Sequence, residues 1–518
     1  MNKTKENKHQ RNGYTTFMFY FLKTTLTFSI VASLIVKTSC FEEEEIKDIK
    51  YEILNNKESH FYIDFDEYPE DKTPLPIGVF DSGTGGLAVL NDIAEYKESD
   101  NDEKKRIFEN ESFIYLADMA NMPYGSYALE DNTALLQEHI IKNTQFLLDN
   151  KYYRNAEDTE YMTDKSPVKA IVVACNTATA YGMEMINNFL DQAGLDIIVK
   201  GVIDAAANGV INYFSPDEDG SIAVLATDGT VRSGAYVSAI VESKMELERH
   251  GNILIFQQAG IGIAEAIDQN KDFTDRSLEQ PREGYMGPSD KKEDNLNIDL
   301  SIWDRYNFNM ENEAMLYEGY PDDPYNIQIN SVENYVAYHL VSLMEKIKTR
   351  RAQEPLRSIV LGCTHYPYVE DTFHEVINDL RNYQEDGEYI YREYMADSII
   401  MVNPAVKIAD QLYEALEERD ILANNHYKDS EFYIAVPNVL NEHVELREDG
   451  TFTYEYKYGR EAGNIQEYVK RTPFSRHAID DDILERLSGQ VPTVYEMMVN
   501  FNNKNPKTEY LQEEKRIK

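Results

Sequence analysis

The chain of 518 residues is long enough for two or three domains with a sizeable core, since 42% of its residues are hydrophobic. Its 92 acidic and 51 basic side chains give a formal net charge of -41, and a field of this sign repels phosphate backbones, so nucleic acid is not an expected partner. The three cysteines, Cys40, Cys175 and Cys363, are too few for a disulfide framework and form no CxxC pair, so neither a zinc site nor a redox dithiol is expected.

Residues 1–40 have the layout of an export signal. Four Lys and Arg side chains fall among the first eleven residues, an apolar run follows at 24–36, and KTSC at 37–40 ends in Cys40. This order is typical of a lipoprotein signal peptide with lipid attached at Cys40, and it predicts a membrane-anchored protein of the cell envelope. An uncleaved membrane anchor and a translation start further downstream are the alternatives. The polar, acidic stretch 41–75 is predicted to be a tether.

From Pro76 onward, short β-branched runs alternate with helical patterns. Strands are predicted at 77–80, 113–118, 170–175, 197–202, 221–227, 252–258, 357–363 and 398–403. Helices are predicted at 131–149, 177–190, 331–348 and 405–418. Nearly continuous apolar strands that alternate with helices are typical of buried parallel sheets, so the sequence predicts an α/β fold.

Two segments interrupt this alternation. Residues 269–330 are polar and lack a clear period, and residues 382–396 form a shorter acidic, tyrosine-rich excursion. The C-terminal segment 438–518 contains a strand-like run at 452–458 and a helical pattern at 482–501, and the sequence assigns it no role.

A weak internal repeat places two cysteines in matching positions. IVVACNT at 171–177 and IVLGCTH at 359–365 are each an apolar strand that ends in a cysteine, followed by a short polar residue. DSGT at 81–84 and TDGT at 227–230 form a second, shorter repeat. The repeat predicts two pseudo-symmetric α/β domains with parallel sheets. Because such sheets bind ligands at the carboxyl ends of their strands, both thiols are expected in one cleft between the domains.

Two thiols that face one ligand suit the inversion of a carbon centre. This reaction needs a base on one face of the carbon and an acid on the other, and a thiolate and a thiol can exchange these roles. His365 lies two residues after Cys363 and Asp81 ends the first strand, so each is placed to assist a cysteine. A single cysteine at the end of a buried strand is more often an apolar core residue, and only the matched pair favours catalysis.

Five motifs follow one another in the α/β region: IGVFDSGTGGLAVL (77–90), MPYG (122–125), VVACNTATA (172–180), LATDGTVRSGAY (225–236) and LGCTHYPY (361–368). Their order and rough spacing resemble glutamate racemase, of the aspartate/glutamate racemase superfamily. The resemblance covers about 76–435 and leaves out the N-terminal 75 residues, the insertion 269–330 and the C-terminal segment.

The resemblance implies a cofactor-independent racemase in which Cys175 and Cys363 are the catalytic bases and Asp81 and His365 assist them. It further implies a set of substrate-binding positions, namely Asp81, Ser82, Pro123, Tyr124, Gly125, Asn176, Thr177, Thr227, Thr230, Thr364 and His365. No cofactor and no metal is expected, and the implied product, D-glutamate, supplies peptidoglycan in cell-wall biogenesis. The stretch QQAGIGIAEAID (257–268) departs from the family pattern, because it lacks the usual Cys-Pro and ends in Asp268, a shorter candidate acid than the usual Glu.

The resemblance also divides the chain into domains. Residues 76–202 form the first α/β domain, completed by 366–437, and residues 203–365 form the second, which carries the insertion 269–330. The expected partners are the small-molecule substrate glutamate and a second copy of the chain in a homodimer, with membrane association through the N-terminus only. The family works in the cytoplasm, which is therefore the alternative location.

Three other functions stand beside glutamate racemisation. Aspartate racemase, or a racemase of broader specificity, differs only in how the distal carboxylate is held. An envelope-anchored binding protein that keeps the scaffold without turnover fits the signal segment, but it gives no reason to keep both cysteines together with Asp81 and His365. A pyridoxal-phosphate racemase is disfavoured because no stretch of the sequence resembles its motifs.

Overall fold

A computed structural model of the chain describes residues 48–97, 106–293, 296–320, 323–351 and 353–518. The predicted signal segment 1–40, with Cys40, lies outside these residues, as does the start of the predicted tether at 41–47. Within the described ranges, no helix is both long and apolar enough to cross a membrane. Ile49–Lys518 forms one compact unit.

The strands are, in chain order, β1 Ile77–Asp81, β2 Phe113–Ala117, β3 Ala170–Val173, β4 Ile198–Gly201, β5 Gly220–Ala226, β6 Ile253–Ala259, β7 Met315–Tyr320, β8 Asp323–Ile329, β9 Leu356–Gly362, β10 Gln384–Glu385, β11 Glu388–Tyr389, β12 Met395–Val402, β13 Glu431–Pro437 and β14 Val469–Pro473. The helices are α1 Ile49–Leu54, α2 Gly86–Glu95, α3 Gly125–Leu129, α4 Thr133–Leu148, α5 Asn176–Ala193, α6 Val202–Ile211, α7 Asp228–Ser233, α8 Ala235–Glu246, α9 Ile263–Ile267, α10 Trp303–Tyr306, α11 Val332–Thr349, α12 Glu370–Asn382, α13 Ala405–Glu418, α14 Tyr454–Gly459, α15 Asp481–Gln490 and α16 Pro492–Lys504.

The first sheet has the strand order β14-β13-β2-β1-β3-β4. All of its strands run parallel except the edge strand β14, which is antiparallel to β13. Every residue of β1, β2 and β3 is buried, because helices and loops cover both faces. The central strands of this sheet therefore read as continuous apolar runs in the sequence.

The second sheet has the order β12-β9-β5-β6 and is parallel throughout. The fold is thus the α/β architecture with two parallel sheets that the sequence predicts. The predicted return to the first domain at 366 differs from the strand pairing, since β12 joins the second sheet and the chain rejoins the first sheet only at β13. The insertion 269–330 contributes the antiparallel hairpin β7–β8, whose Met315 and Ile329 are buried in the core of the second sheet.

The stretch 48–75 is not the free tether that the sequence predicted. Ile49 and Ile53 of α1 are buried, as are Phe61 and Ile63, and all four pack into the core of the first sheet. Lys151 Nζ donates hydrogen bonds to two carbonyl groups of this stretch. Apolar residues spaced through an acidic sequence were enough to anchor it, although its overall composition resembles a linker.

Two predictions for the C-terminal segment differ from the structure. The run at 452–458 forms helix α14 instead of a strand, because Thr453 caps it and the rings of Tyr454 and Tyr458, four residues apart, pack at 4.8 Å. The helical pattern at 482–501 is divided into α15 and α16, since Pro492 has no N–H to continue the first helix and starts the second.

Candidate active site

The two cysteines lie at the carboxyl ends of strands from different sheets. Cys175 follows β3 and directly precedes helix α5, and Cys363 follows β9. Their side chains are only 6% and 5% exposed, yet both line one cavity of about 380 Å³. The topology of two parallel sheets therefore presents two thiols to a single enclosed space, at the strand ends where such sheets bind ligands.

Most of the predicted site residues lie on the wall of this cavity. Those on the wall are Ser82, Pro123, Tyr124, Gly125, Cys175, Asn176, Thr177, Thr227, Cys363, Thr364 and His365. Asp81 and Thr230 are fully buried behind the wall and do not line the cavity.

Cys175 lies in a dry environment that disfavours its thiolate. Its sulfur is 3.7 Å from the hydroxyl oxygen of Ser82. Burial raises the pKa of the Cys175 thiol, the negative charge of Asp81 raises it further, and the backbone N–H of Ala178 lowers it only in part. These surroundings therefore favour the thiol form of Cys175.

Asp81 is held by the glycine-rich loop that follows β1. Its Oδ2 accepts hydrogen bonds from the backbone N–H groups of Gly83 at 3.2 Å and Gly86 at 2.9 Å, whereas Oδ1 has no hydrogen-bond partner among the described residues. Burial raises the Asp81 pKa, although the charge of His365 and the loop N–H groups oppose this shift. The sequence placed Asp81 against the substrate, and the structure puts it one layer behind, beside the cysteine.

Cys363 has a different neighbour. Its sulfur is 3.6 Å from Nδ1 of His365, and Nε2 of the same ring is 2.7 Å from Oδ2 of Asp268. Burial lowers the His365 pKa, but the charge and hydrogen bond of Asp268 outweigh it and hold this pKa well above its usual value. The ring next to Cys363 is therefore an imidazolium that forms an ion pair with a buried carboxylate.

Asp268 is the acid that the sequence singled out at the end of QQAGIGIAEAID. Its side chain is 3% exposed. Burial raises its pKa, yet the positive charges and hydrogen bonds of His365 and Arg486 hold this pKa below the usual value. Its Oδ1 accepts a hydrogen bond from Arg486 at 3.0 Å and one from the hydroxyl of Thr84 at 3.4 Å.

Three hydroxyl groups form a closed triangle beside the cavity. The Oγ1 atom of Thr177 lies 2.7 Å from that of Thr227 and 3.2 Å from that of Thr230, and the last two are 2.9 Å apart. Thr177 belongs to α5 after the first sheet, whereas Thr227 caps helix α7 after β5 and Thr230 lies within that helix. The triangle therefore ties the two α/β halves together, and Thr230 acts on the cavity through its two neighbours.

Close backbone approach explains one glycine of the DSGTGG loop. A Cβ atom on Gly85 would lie 2.5 Å from Thr364 Oγ1 and 2.7 Å from His365 Nδ1. The loop after β1 therefore touches the residues that follow Cys363, and a side chain at this position would separate the two halves of the site.

The hydroxyl group of Tyr124 forms its hydrogen bonds with protein side chains outside the cavity wall. Its hydroxyl donates to Asp118 Oδ2 at 2.5 Å and accepts from Asn143 Nδ2 at 2.8 Å. The tyrosine thus fixes the wall at 123–125, and its hydroxyl is already occupied by partners from the protein.

Several wall residues were missed from the sequence. They are Glu265 of α9, the insertion residues Phe273, Met286, Lys292 and Leu296, and Tyr454 of the C-terminal segment. The insertion and the C-terminal segment both help to enclose the cavity. The sequence offered no signal for the insertion residues or Tyr454, which lie outside every motif, whereas Glu265 lies in the stretch QQAGIGIAEAID (257–268), in which only Asp268 was considered as the candidate acid.

Comparisons with known proteins give a consistent result. No family model matches the chain. A glutamate racemase of Trichodesmium erythraeum is 25% identical over 359 residues, which cover 69% of this chain and 86% of that protein. One from Lactobacillus acidophilus is 23% identical over 69% of this chain and 87% of its own length. One from Chlorobaculum tepidum is 34% identical over 33% of this chain and 50% of its own length.

Solved structures with a similar chain path carry the same name. A glutamate racemase isoform from Bacillus anthracis aligns with a TM-score of 0.40 at 21% identity, covering 70% of this chain and 87% of that one. Glutamate racemase from Francisella tularensis in complex with D-glutamate aligns with a TM-score of 0.39 at 18% identity, covering 75% and 95%.

Proposed function

We propose that this chain, a member of the aspartate/glutamate racemase family by its homology to glutamate racemases over 69% of its length, interconverts L- and D-glutamate without a cofactor. One observation carries the proposal. Cys175 and Cys363, which come from different sheets, line the same cavity of about 380 Å³. A substrate α-carbon between them would meet one sulfur on each face, which is what inversion by proton transfer requires.

The proposed reaction has two proton transfers. A thiolate removes the hydrogen of the α-carbon as a proton, and the electron pair of the broken C–H bond moves into the adjacent carboxylate group. The thiol on the opposite face then gives its proton to the α-carbon, and its S–H bond pair stays on sulfur. The first cysteine ends as a thiol and the second as a thiolate, which is the state that starts the reverse conversion; release of the proton from the first sulfur to solvent and uptake of a proton by the second restore the starting state.

The charges around the two cysteines favour one starting state. Burial and Asp81 raise the pKa of Cys175, which favours the thiol there. A protonated His365 lies 3.6 Å from the sulfur of Cys363 and stabilises negative charge that develops on it. Cys363 is therefore the first base of the proposed cycle, and Cys175 the first acid.

Carboxylate groups of the substrate have suitable donors on the wall. The first N–H groups of the 18-residue helix α5, at Asn176 and Thr177, follow Cys175 directly, and a helix N-terminus favours a negative charge. The hydroxyl groups of Ser82, Thr227 and Thr364 lie on the same wall. Negative charge that moves into the α-carboxylate during the reaction is stabilised by such donors.

Exchange of the α-hydrogen with solvent tests this proposal. Purified protein in deuterium oxide is expected to introduce deuterium at the α-carbon of both L- and D-glutamate, and C175S and C363S are expected to lose the interconversion. C40S is the matched control, because Cys40 is outside the α/β region. Exchange with aspartate but not with glutamate would mean that the substrate is aspartate. The lack of exchange with either acid would favour a binding protein on the same scaffold.

A location at the membrane is proposed from the sequence alone. The basic start, the apolar run at 24–36 and KTSC at 37–40 support a lipid attached to Cys40. Labelled palmitate should be incorporated into the wild type and not into C40S in the native host. A protein that stays unlabelled and cytoplasmic would contradict this location and leave the racemase proposal intact. Supply of D-glutamate for peptidoglycan is tested separately by growth of a D-glutamate auxotroph that carries this chain.

A further inference from the structure

We propose that Arg486, in helix α15 of the C-terminal segment, is a positioning residue for the Cys363 half of the active site. The segment 438–518 is outside the five motifs, and the sequence assigned it no role. The inference rests on the proposed two-cysteine reaction, and it adds a part of the chain to the catalytic machinery that the motifs do not contain.

The contacts form a chain of three links from α15 to the sulfur. Arg486 Nη2 donates to Oδ1 of Asp268 at 3.0 Å. The other oxygen of Asp268 lies 2.7 Å from Nε2 of His365, and Nδ1 of that ring is 3.6 Å from the sulfur of Cys363. Arg486 thus holds the carboxylate that orients the imidazole next to the reacting thiol.

Packing fixes the place from which Arg486 reaches the site. Ile483, Leu484 and Leu487 of α15 are buried in the core of the first sheet. The guanidinium carbon of Arg486 also lies 4.9 Å from the ring centre of Tyr368, and Gln490 donates to the backbone carbonyl of the same tyrosine at 3.1 Å. Tyr368 ends the LGCTHYPY motif, so α15 is seated directly against the loop that carries Cys363 and His365.

The physical role follows from the charge of the buried carboxylate. The Asp268 side chain is 3% exposed and has little access to water, so its two oxygens depend on protein donors. Arg486 and Thr84 supply those donors on Oδ1, which leaves Oδ2 for His365. Without Arg486, the carboxylate loses the charged partner that fixes its orientation, and the net positive charge near Cys363 decreases by one.

This arrangement contacts one cysteine directly, and the charge of His365 reaches Cys175 only through Asp81. Cys175 has Ser82 and Asp81 as its neighbours, and within the described residues the C-terminal segment forms no hydrogen bond or ion pair with either side chain. Loss of Arg486 is therefore expected to impair proton transfer at Cys363 and to affect Cys175 much less. A residue that only stabilised the fold would affect both cysteines alike.

Three variants separate charge from packing. R486Q removes the charge and R486K keeps it, while R476Q removes an exposed arginine of the same segment that pairs with Asp481. We expect kcat of R486Q to fall about tenfold or more with little change in KM, as for other outer partners of a reacting group. R486K is expected to recover most of the loss, and R476Q to match the wild type.

Two readouts assign the effect to one side of the site. With substrates deuterated at the α-carbon, R486Q should increase the primary isotope effect for the enantiomer that Cys363 deprotonates and decrease it for the other. With iodoacetamide at pH 7, alkylation of Cys363 should become several-fold slower in R486Q, because the imidazolium beside this sulfur is no longer held in place, and alkylation of Cys175 should change much less.

The outcomes distinguish the two proposals. Wild-type kcat in R486Q, an equal loss in R486K and R486Q, or equal changes at both cysteines would overturn the role of Arg486. If the wild type fails to exchange glutamate, the proposed function is wrong, and the alkylation rates still decide whether Arg486 acts selectively on Cys363. Thermal denaturation of each variant identifies any loss that comes from unfolding.

Discussion

Cys175 shares its surroundings with the buried carboxyl of Asp81, whereas Cys363 contacts an imidazole that is held by Asp268 and Arg486. The first environment raises the pKa of its thiol, and the second places a positive charge 3.6 Å from its sulfur. The two halves of the fold therefore repeat a strand that ends in cysteine without repeating the charges around it. A reaction that is nearly symmetric in its substrates can still begin from one defined protonation state.

The two cysteines also differ in where their neighbouring residues come from in the chain. Asp81 belongs to the strand next to Cys175 and is held by backbone N–H groups of its own loop. Asp268 and Arg486 reach the other half from the end of α9 and from the C-terminal segment. The first half is assembled locally, and the second is assembled from three separate regions of the chain. Variants on each side test whether this asymmetry matters.

The largest effect is expected from H365N. Asparagine is uncharged and cannot stabilise negative charge on Cys363 as an imidazolium does, so kcat should fall about a thousandfold, within the range for loss of an acid–base group. Alkylation of Cys175 should change much less than that of Cys363, because His365 reaches Cys175 only through Asp81. H374N is the control, since His374 is an exposed histidine of α12 that pairs with Glu370 on the same helix. A loss of less than tenfold would remove His365 from the proposed mechanism.

The next effect is on stability. D268N breaks a buried ion pair and should lower the free energy of unfolding by about 3 kcal/mol at pH 5.5, measured by urea denaturation. The exposed pair of Asp272 with Arg447 provides the control D272N, for which a change below about 1 kcal/mol is expected.

The pH dependence of the D268N effect follows from the two pKa directions. The Asp268 pKa is lowered in the folded state, so its contribution is complete above the unfolded value of about 3.9 and is lost as the pH falls. The His365 pKa is raised, so its contribution is complete below about 6.5 and declines as the pH rises towards the folded pKa. The difference between D268N and wild type should be largest between these values, and a difference that grows above pH 8 would contradict the ion pair.

Sequence patterns identified the parts of the fold that depend on local periodicity. The strands β1, β2, β3, β5, β6 and β9 lie within a residue or two of their predicted positions, because each is a continuous apolar run between polar turns. The matched motifs around Cys175 and Cys363 led to the two thiols of one cavity, since parallel strands place equivalent ends at the same edge.

The same patterns could not identify partners that meet only in the folded chain. Arg486 and Asp268 are 218 residues apart in sequence, and nothing in the local spacing of α15 distinguishes Arg486 from a solvated surface arginine. The alternating FTYEYKY run at 452–458 looked like a strand, but it forms a helix whose Tyr458 ring packs 4.8 Å from the ring of Tyr127. Acidic composition likewise hid the buried Ile49 and Ile53. In each case a long-range contact outweighed the local preference.

The smallest effect should have the opposite sign and should come from the Cys175 side. Burial raises the Asp81 pKa, so ionisation of this group costs stability that is absent below about pH 4 and grows as the pH rises above that value. D81N removes this cost. Its amide oxygen can accept both loop N–H groups, and its NH2 group takes the position of Oδ1, which has no hydrogen-bond partner among the described residues.

D81N should therefore raise the free energy of unfolding by about 1 kcal/mol at pH 8, and the gain should vanish near pH 4. Racemisation should fall in the same variant, because Asp81 no longer influences the Cys175 thiol. Urea denaturation at the two pH values measures the first effect, and the initial rate of glutamate racemisation measures the second. A variant that is both less stable and fully active would mean that Asp81 is a structural residue. If the variant is more stable but less active, the reaction requires the buried Asp81 carboxyl next to Cys175, even though this group lowers the stability of the fold.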